Sequence, residues 1–371
     1  MFKRITTIYG DGIGPEVTQQ SVKVLQTVAE VFGHEFFFQK AMLGAEAIDA
    51  TGLPLPPETL DMALQSDAIL FGAIGHPKYD NDPVAEVRPE QGLLGLRKAL
   101  DLFANIRPVK TVPALRHLSP LKNIGNQPVD LVIYRELTGG IYFGHKETDA
   151  DKTMATDTCT YHKSEIERIA KLAFEAAASR RRKLTLIDKA NVLETSRLWR
   201  HVVQNLAKEY TEVKVDYMHV DNAAMQLIIN PWQFDVILTE NLFGDILSDE
   251  ASVLSGSLGL MPSASIGQRG ALFEPIHGSY HQAAGKDIAN PVGAILSAAL
   301  MLRHFAMHDE ANIVEEAVQW TLQNGFVTKD IDPVNFYFTA TVGDLVCDYI
   351  QGKIVEIVNK NNIELRKSTI I

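Results

Sequence analysis

Residues 234–256 constrain the fold of this chain more than any other segment. The apolar run at 234–239 is predicted to be a buried strand, and the residues after it are predicted to form a helix. On a helix, Asp245 and Asp249 lie one turn apart and share a face. A second face is apolar and must be buried against a neighbour; it consists of Ile246, Leu247, Val253 and Leu254. Together with the alternation of strands and helices up to about residue 110, this segment predicts an α/β layer structure.

The two carboxylates of this helix admit two interpretations. At this spacing like charges repel each other by roughly a few tenths of a kcal/mol. A hard divalent cation, which binds through oxygen ligands, would turn that cost into a gain. The alternative is a solvated helix flank that carries two aspartates without a ligand, and this segment alone leaves both open.

Composition bounds the functional classes. The chain has 371 residues, of which 46% are hydrophobic and 22% charged, as in a globular protein with one large domain or two. A net charge of −11 argues against a nucleic-acid partner. With only Cys159 and Cys347, neither a disulfide framework nor a thiolate zinc site is expected. We also find no signal-peptide pattern and no run able to span a bilayer, so we expect a cytoplasmic protein without a membrane partner.

The rest of the chain is predicted to alternate between strands and helices, with one irregular exception. Residues 141–162 are rich in Thr, Tyr and Asp and lack helical periodicity, so they are predicted to form extended arms that pair with a second subunit. Residues 119–130 are predicted to form a loop. Strands are predicted at 5–9, 35–39, 68–73, 131–135, 184–188 and 213–219, and helices at 163–179, 194–209, 291–308, 313–324 and 339–351.

The first strand ends in a glycine-rich turn at residues 10–16. Its spacing is G-x-G-x-G followed by Pro15, and no acidic residue closes a following strand at the usual place. An ordinary dinucleotide-binding fingerprint has G-x-G-x-x-G spacing and an acidic residue at the end of the following strand, and this segment has neither. As a Rossmann signal this turn is weak, and we predict that it forms the wall of a site.

Three arginines are predicted near the ends of secondary-structure elements. Arg97 falls on a short helix, and Arg107 and Arg135 are placed at the ends of strands. The guanidinium group presents a fixed fork of donors that suits carboxylates. For any one arginine a surface position is the simpler explanation, but the group predicts a small polyanionic acid as ligand.

Other polar residues follow predicted strands. Lys189 comes directly after one, where it is either a surface lysine or a base whose pKa is lowered by its surroundings. Asp221 follows the next strand and, with Asp245 and Asp249, would complete an oxygen-only site of the kind that Mg²⁺ or Mn²⁺ prefers. His277 lies in a glycine-flanked turn and by itself indicates nothing more than a loop histidine.

Several segments in order resemble one family of enzymes over nearly the whole chain. The family comprises the metal-dependent decarboxylating dehydrogenases of 2-hydroxy acids with a β-carboxylate, the isocitrate/isopropylmalate dehydrogenases. The segments that carry the resemblance are residues 10–16, 97–107, 135–144, 188–191, 241–249, 274–278 and 288–291.

The resemblance implies a two-lobed α/β fold with a large mixed sheet flanked by helices, which is not a true Rossmann fold. Residues 1–103 and 257–371 would form a discontinuous cofactor-binding lobe. Residues 104–256 would form a central lobe with dimer-forming helices and a β-arm. The helix at 241–257 would pack against its mate in a homodimer with shared active sites.

The resemblance also implies catalytic roles for the polar residues. Arg97, Arg107 and Arg135 would bind the two carboxylates of a dicarboxylic 2-hydroxy acid. Lys189 of a second subunit would help to deprotonate the hydroxyl, and Tyr142 would return a proton to carbon. Mg²⁺ or Mn²⁺ would act as a Lewis acid on the substrate. Its ligands would be Asp245 and Asp249, with Asp221 from the second subunit also facing the substrate.

Within that family the substrate is predicted from the helix before Arg97. An isocitrate enzyme needs polar groups there, whereas this chain has Leu93 and Leu94, with Asn191 and Val192 nearby by analogy. Burying an isopropyl group would contribute roughly 1 to 3 kcal/mol. The pattern predicts oxidative decarboxylation of 3-isopropylmalate, with isocitrate, homoisocitrate and tartrate as alternatives.

NAD is the predicted cofactor, although one position departs from the family pattern. Where NAD-using members carry an aspartate that excludes a 2′-phosphate, this chain has Gln282. The residue can hydrogen-bond a ribose but has no charge to repel phosphate, so strict discrimination against NADP is not predicted. The other cofactor contacts that the resemblance implies are Ile13, Glu90, His277, Gly278, Ser279 and Asn290.

A non-catalytic, dinucleotide-binding regulatory module is the alternative from another functional class. Lys189, Tyr142 and the three aspartates are all present, whereas a module without activity would be expected to lack some of them.

Overall fold

The computed structural model describes residues 1–80, 86–121 and 128–353. Its strands are β1 (Phe2–Gly10), β2 (Glu35–Ala41), β3 (Ala68–Ala73), β4 (Leu102–Lys110), β5 (Asp130–Glu136), β6 (Lys146–Thr148), β7 (Ala155–Asp157), β8 (Lys183–Asp188), β9 (Lys214–His219), β10 (Val236–Thr239), β11 (Pro262–Gly267) and β12 (Ala271–Pro275). Its helices are α1 (Gly14–Phe32), α2 (Ala45–Thr51), α3 (Pro57–Leu64), α4 (Pro77–Asp80), α5 (Pro89–Ala99), α6 (Lys163–Ser179), α7 (Glu194–Leu206), α8 (Val220–Ile229), α9 (Asn241–Ser252), α10 (Val292–His304), α11 (His308–Gln323) and α12 (Thr339–Ile350).

Within these residues, ten strands form one mixed sheet in the order β2-β1-β3-β12-β11-β4-β5-β10-β8-β9. Pairing is parallel towards both edges of the sheet. In the middle, β11 runs antiparallel to both β12 and β4, and β4 runs antiparallel to β5. The antiparallel centre distinguishes this sheet from the all-parallel Rossmann arrangement and confirms the predicted mixed α/β sheet.

Helices cover both faces of the sheet because its strands are apolar on both sides. In β3, Ala68 and Leu70 pack against α1 and α10 to α12, while Ile69 and Phe71 face a second cluster that includes α5. Strands β5, β8 and β10 repeat the pattern, with α6 and α7 on one face and α8 and α9 on the other. Such continuous apolar strands are typical of parallel sheets buried on both faces.

The predicted arm at 141–162 contains a short antiparallel hairpin, β6–β7, whose strands are exposed along their length. Its pairing with a second subunit stays a prediction. Two details differ from expectation. Arg107 lies inside β4 and not at its end, because the strand continues through Lys110. Strand β11 was not predicted, since its small and polar residues give no apolar run. The predicted loop at 119–130 falls partly on 122–127, which lie outside the described residues.

No helix in the described part of the chain is both long enough and apolar enough to cross a membrane.

Candidate functional site

A row of polar side chains crosses the antiparallel centre of the sheet. Glu274 lies opposite Ser263, Ser265 lies opposite Asn105, and Asn105 lies opposite Arg135. Directly opposed residues of antiparallel strands project to the same face, as do residues two apart in one strand. Four strands therefore bring a carboxylate and an arginine from distant parts of the chain onto one surface.

Helix α9 leaves β10 and lies beside this row. Its residues Asn241, Asp245, Ser248 and Asp249 are spaced by four, three and one positions, so they fall on one face of the helix. All four have an arginine as hydrogen-bond partner. The predicted placement of Asp245 and Asp249 on one face of a helix is confirmed by this geometry.

The apolar residues of α9 and of the turn that follows it form two groups, one buried and one exposed. Leu247 and Leu254 are fully buried beneath the helix, as predicted. Ile246 and Val253 are 59% and 50% exposed and do not share that burial. Because positions seven apart return to the same side of a helix, these two residues form a separate exposed apolar strip.

Arg135 and Tyr142 both bind Asp245. The Nη1 of Arg135 donates to Asp245 Oδ1 at 2.5 Å, and its Nε and Nη2 both donate to Asn241 Oδ1, at 3.0 and 2.8 Å. The Tyr142 hydroxyl donates to Asp245 Oδ2 at 2.8 Å. Burial lowers the pKa of Arg135 to about 10, against the opposing effect of Asp245. Burial raises the pKa of Tyr142, and the bond to Asp245 raises it further.

Arg107 binds the other aspartate of α9. Its Nη1 donates to Asp249 Oδ1 at 3.1 Å and to Ser248 Oγ at 2.6 Å, and its Nε donates to Asn105 Oδ1 at 2.7 Å. The Asn105 amide is oriented by donation from its Nδ2 to Ser263 Oγ at 2.9 Å. Burial lowers the pKa of Arg107 although the nearby carboxylates oppose the shift.

The third arginine, Arg97, pairs with a carboxylate that does not belong to α9. Its Nη2 donates to Glu274 Oε1 at 2.8 Å, while its buried Nε has no hydrogen-bond partner among the described residues. Arg97, Arg107 and Glu274 line one cavity of about 160 Å³, together with Leu93, His277 and Gly278. Of the predicted apolar pocket, only Leu93 reaches this cavity, whereas Leu94 and Val192 are exposed.

Lys189 and Asp221 form a separate pair. The Lys189 Nζ donates to Asp221 Oδ1 at 2.7 Å, and this bond lowers the pKa of Asp221. The residue before Lys189, Asp188, is fixed by two bonds from Arg200 at 2.9 and 2.8 Å. Asn191, two residues beyond Lys189, is exposed.

Among the described residues, no hydrogen bond joins the Lys189–Asp221 pair to Asp245 or Asp249. Within one chain, the described residues hold no group of three or more Asp, Glu, His or Cys able to bind a metal ion. Asp245 and Asp249 therefore lie in one polar group, and Asp221 lies in another with Lys189.

The glycine-rich turn packs directly on the predicted cofactor loop. The backbone N–H of Ile13 donates to Ser279 O at 2.8 Å. Gly12 has φ +60°, and a Cβ placed there would lie 1.9 Å from Ser279 O. Glu90 reaches the same region, since its Oε1 would lie 3.0 Å from a Cβ at Gly75. The structure thus brings Ile13 and Ser279 into contact, as is required for both to form one wall of the predicted cofactor site.

Two more of the predicted cofactor residues are fixed by their surroundings. The Asn290 Oδ1 accepts from Val292 N at 3.0 Å, and its Nδ2 donates to Asp330 Oδ2 at 3.0 Å. The His277 Nε2 is buried and has no partner among the described residues, and burial lowers the pKa of His277. Gln282 is exposed.

A larger cavity of about 680 Å³ borders the glycine-rich turn and is lined by Asp11, Lys40, His76 and His281, among others. Of the residues predicted for the site, only those of the glycine-rich turn line it, namely Gly10, Asp11, Gly12 and Pro15. It is separate from the smaller cavity that Arg97 and Arg107 line.

Several residues of this site were missed from the sequence. Asn241 and Ser248 could have been found, because they share the helical face of Asp245 and Asp249. Glu274 lies within a segment that carried the family resemblance, but it was given no role. Asn105 and Arg200 had no signal in the sequence, since their partners are set by strand pairing and helix packing.

Comparison with known proteins places this geometry in context. The family model described as isocitrate/isopropylmalate dehydrogenase matches residues 4–346. A Bacteroides fragilis protein named 3-isopropylmalate dehydrogenase is 51% identical over 350 residues, covering 94% of this chain and 99% of that protein. A Bacillus subtilis protein of the same name is 54% identical over 338 residues, covering 89% and 92%.

Solved structures show the same likeness. An isocitrate dehydrogenase from Methylococcus capsulatus matches with a TM-score of 0.84 and 35% identity, covering 94% of this chain and 99% of that one. A β-decarboxylating dehydrogenase from Thermococcus kodakarensis, in its apo form, matches with a TM-score of 0.78 and 36% identity, covering 96% and 98%. The likeness therefore extends over nearly the whole chain.

Proposed function

Because the chain belongs to the isocitrate/isopropylmalate dehydrogenase family, we propose that it catalyses the NAD-dependent oxidative decarboxylation of 3-isopropylmalate. The chain is an oxidoreductase. The products of the proposed reaction are 4-methyl-2-oxopentanoate and CO₂, and its place is in leucine biosynthesis. Relatives named for this reaction at 51% and 54% identity support the substrate. The geometric observation that carries the proposal is the arrangement of the three arginines: Arg107 and Arg135 bind the α9 carboxylates, and Arg97 and Arg107 line one small cavity.

The arginines account for recognition of a dicarboxylic acid. Arg107 and Arg135 have side chains that are 11% and 6% exposed, so their charges act in a medium of low polarity. Planar guanidinium groups bind carboxylates through paired hydrogen bonds. Arg97, held by Glu274 from one side, offers the third point of attachment. Leu93 at the cavity supports an apolar substituent on the acid.

A divalent metal ion fits the residues present. Asp245 and Asp249 supply oxygen donors on one face of α9, which is the donor set that Mg²⁺ and Mn²⁺ prefer. Asp221 of a second subunit would supply the remaining carboxylate, since one chain alone does not bring three together. When bound, the ion would supply a Lewis acid that stabilises negative charge on substrate oxygen.

Two side chains of this protein would move protons. Lys189 of the second subunit would take the proton of the substrate hydroxyl while hydride passes to NAD. Tyr142 would donate its hydroxyl proton to the carbon that loses CO₂. Its raised pKa keeps that proton in place at neutral pH.

Further proposals follow from the same reasoning. Residues 1–103 with 257–371 would bind the cofactor, through Ile13, Glu90, Ser279 and their neighbours, and 104–256 would form the dimer. The exposed apolar strip on α9 supports a homodimer. A cytoplasmic location is proposed with two unpaired cysteines as support.

Parallel assays test the reaction and the cofactor. The purified protein with Mg²⁺ is given 3-isopropylmalate, isocitrate, homoisocitrate or tartrate, each with NAD⁺ and with NADP⁺. We expect the highest kcat/KM for 3-isopropylmalate with NAD⁺. We also expect measurable activity with NADP⁺, since Gln282 has no charge to repel a 2′-phosphate. Faster reduction of NAD⁺ or NADP⁺ with any of the other acids would refute 3-isopropylmalate as the preferred substrate.

A lysine variant separates an enzyme from a binding module. Lys189→Ala should lower kcat by at least about 100-fold, because proton transfer by a placed group is worth roughly two to four decades. The matched control is Lys214→Ala, which removes an exposed lysine from the neighbouring strand β9 and should leave kcat unchanged. A wild-type protein that binds NAD but turns over none of the acids would favour the regulatory module.

A further inference from the structure

We propose that Arg107 and Arg135 compete with the divalent metal ion for the carboxylates of α9, so that metal and dicarboxylic substrate bind cooperatively. The inference rests on the proposed function in one respect, namely that Asp245 and Asp249 are metal ligands. Its new content is a second role for the two arginines, which hold those ligands before substrate arrives.

The carboxylates of α9 already have cationic partners in the described chain. Arg135 Nη1 lies 2.5 Å from Asp245 Oδ1, and the second oxygen of Asp245 accepts from the Tyr142 hydroxyl at 2.8 Å. Arg107 Nη1 lies 3.1 Å from Asp249 Oδ1. Asp245 therefore has both oxygens occupied and Asp249 has one.

Breaking these ion pairs would leave the arginines without their ionic partners. Both guanidinium groups are nearly excluded from water, whereas the Asp249 side chain is 64% exposed. A metal ion that takes the carboxylates leaves two buried positive charges without their ionic partners, and an unpaired buried charge is strongly destabilising. In the absence of substrate, metal binding is weakened by the free energy needed to break these two ion pairs.

A dicarboxylic substrate removes this penalty. Its two carboxylates take the place of Asp245 and Asp249 at the arginines, and the freed aspartates then bind the metal ion. Because binding linkage is reciprocal, substrate increases metal affinity by the same factor by which metal increases substrate affinity. The exchange of partners predicts that each ligand alone binds more weakly than it does with the other present.

Arg97 provides a matched control within the same site. It is also an arginine with little exposure and it lines the same cavity as Arg107. Its carboxylate partner, however, is Glu274 on β12, which is not a proposed metal ligand. Loss of Arg97 should therefore change substrate binding without releasing a metal carboxylate.

The experiment is calorimetric titration of Mn²⁺ into the purified full-length protein with no substrate or cofactor. We expect Arg107→Gln to tighten Mn²⁺ binding by about tenfold, within the usual range of coupling between sites. Arg135→Gln should act in the same direction, and Arg97→Gln should change the affinity by less than about twofold. Circular dichroism establishes that each variant is folded.

A measurement on the wild type needs no variant. Addition of succinate, a dicarboxylate without the hydroxyl group, should tighten Mn²⁺ binding several-fold. Equal tightening by Arg107→Gln and Arg97→Gln would show a general effect of positive charge and overturn the proposal. An affinity that is unchanged in Arg107→Gln, or by succinate in the wild type, would also overturn it. Failure of every variant to bind Mn²⁺, even with 3-isopropylmalate, would instead refute the metal site of the proposed function.

Discussion

At the scale of single residues, a buried charge without a partner has the clearest consequence. Glu240 precedes α9 and is 5% exposed, and its Oε2 has no hydrogen-bond partner among the described residues. Burial raises the pKa of Glu240 to about 7, with a further contribution from the negative charge of Asp188. The folded protein therefore keeps the proton of this carboxyl at pH values where the unfolded chain has lost it.

The sign of the pH dependence follows from this difference. Between about pH 4.5 and 7 the folded state binds the proton and the unfolded state does not, so the free energy of unfolding falls as pH rises. The stabilisation is fully present below the unfolded pKa and is lost above the folded one. A shift from 4.5 to about 7 corresponds to about 3 kcal/mol at most.

We expect Glu240→Gln to remove this dependence. The variant should be more stable than the wild type at pH 8 and close to it at pH 4.5, as measured by urea denaturation at fixed protein concentration. Glu58→Gln, on the exposed first turn of α3, is the control and should leave the pH profile unchanged. A difference between Glu240→Gln and wild type that is the same at both pH values would contradict the assignment.

At the scale of elements, the packing of two loops shapes the predicted cofactor site. The turn after β1 and the loop after β12 are 267 residues apart at Gly12 and Ser279, yet their backbones touch. The contact needs a glycine for two reasons. Gly12 has φ +60°, and any Cβ there would overlap the carbonyl oxygen of Ser279.

Gly12→Ala should separate the two loops. Overpacking costs roughly 1 to 3 kcal/mol, and we expect about a tenfold weaker binding of NADH, measured by fluorescence titration. Gly33→Ala is the control, because Gly33 has a similar φ of +70° but has no atom within 4 Å of the added Cβ. It should lower thermal stability through backbone strain of about 1 to 2 kcal/mol and leave NADH affinity unaltered. Equal NADH affinities for both variants would argue against the loop contact as part of the site.

At the scale of the whole molecule, the proposed active site divides into two half-sites on each chain, Lys189 with Asp221 and Asp245 with Asp249, and a second chain would complete it. Lys189 and Asp221 bind each other, while Asp245 is bound by Arg135 and Tyr142. Exposed apolar side chains lie on α8, which carries Asp221, on α9, which carries Asp245, and directly after α9; they are Met225, Ile228, Ile229, Ile246 and Val253. A twofold axis along this surface would join one half-site of each chain to the other half-site of its mate.

Mixed dimers test this arrangement. Inactive Lys189→Ala and Asp245→Asn proteins, unfolded and refolded together, should regain about a quarter of wild-type activity, since half of the dimers are mixed and each has one intact site. Lys189→Ala refolded with Asp221→Asn is the control and should regain none, because both changes fall in the same half-site. Activity in that control mixture, or none in the first, would show that the site is not shared.

Local periodicity determined much of this protein from its sequence. The α/β class, the placement of Asp245 and Asp249 on one helical face and the burial of Leu247 and Leu254 depend on residues within two turns of each other. Helix geometry relates such positions whatever the remainder of the fold. The sequence did not distinguish the exposed residues Ile246 and Val253 from the buried Leu247 and Leu254. Burial depends on which neighbouring element each side of the helix contacts.

The tertiary structure alone decided which charges meet. Arg97 pairs with Glu274, which is 177 positions away, and Arg107 pairs with Asp249, 142 positions away. These contacts depend on strand order and register, which place Arg107 and Glu274, and on the packing of α5 and α9, which carry Arg97 and Asp249. A register shift of one residue would turn Arg107 or Glu274 to the opposite face of the sheet. The arginines could be predicted as a group from their chemistry, but their partners follow from strand pairing and helix packing between elements that are far apart in the chain.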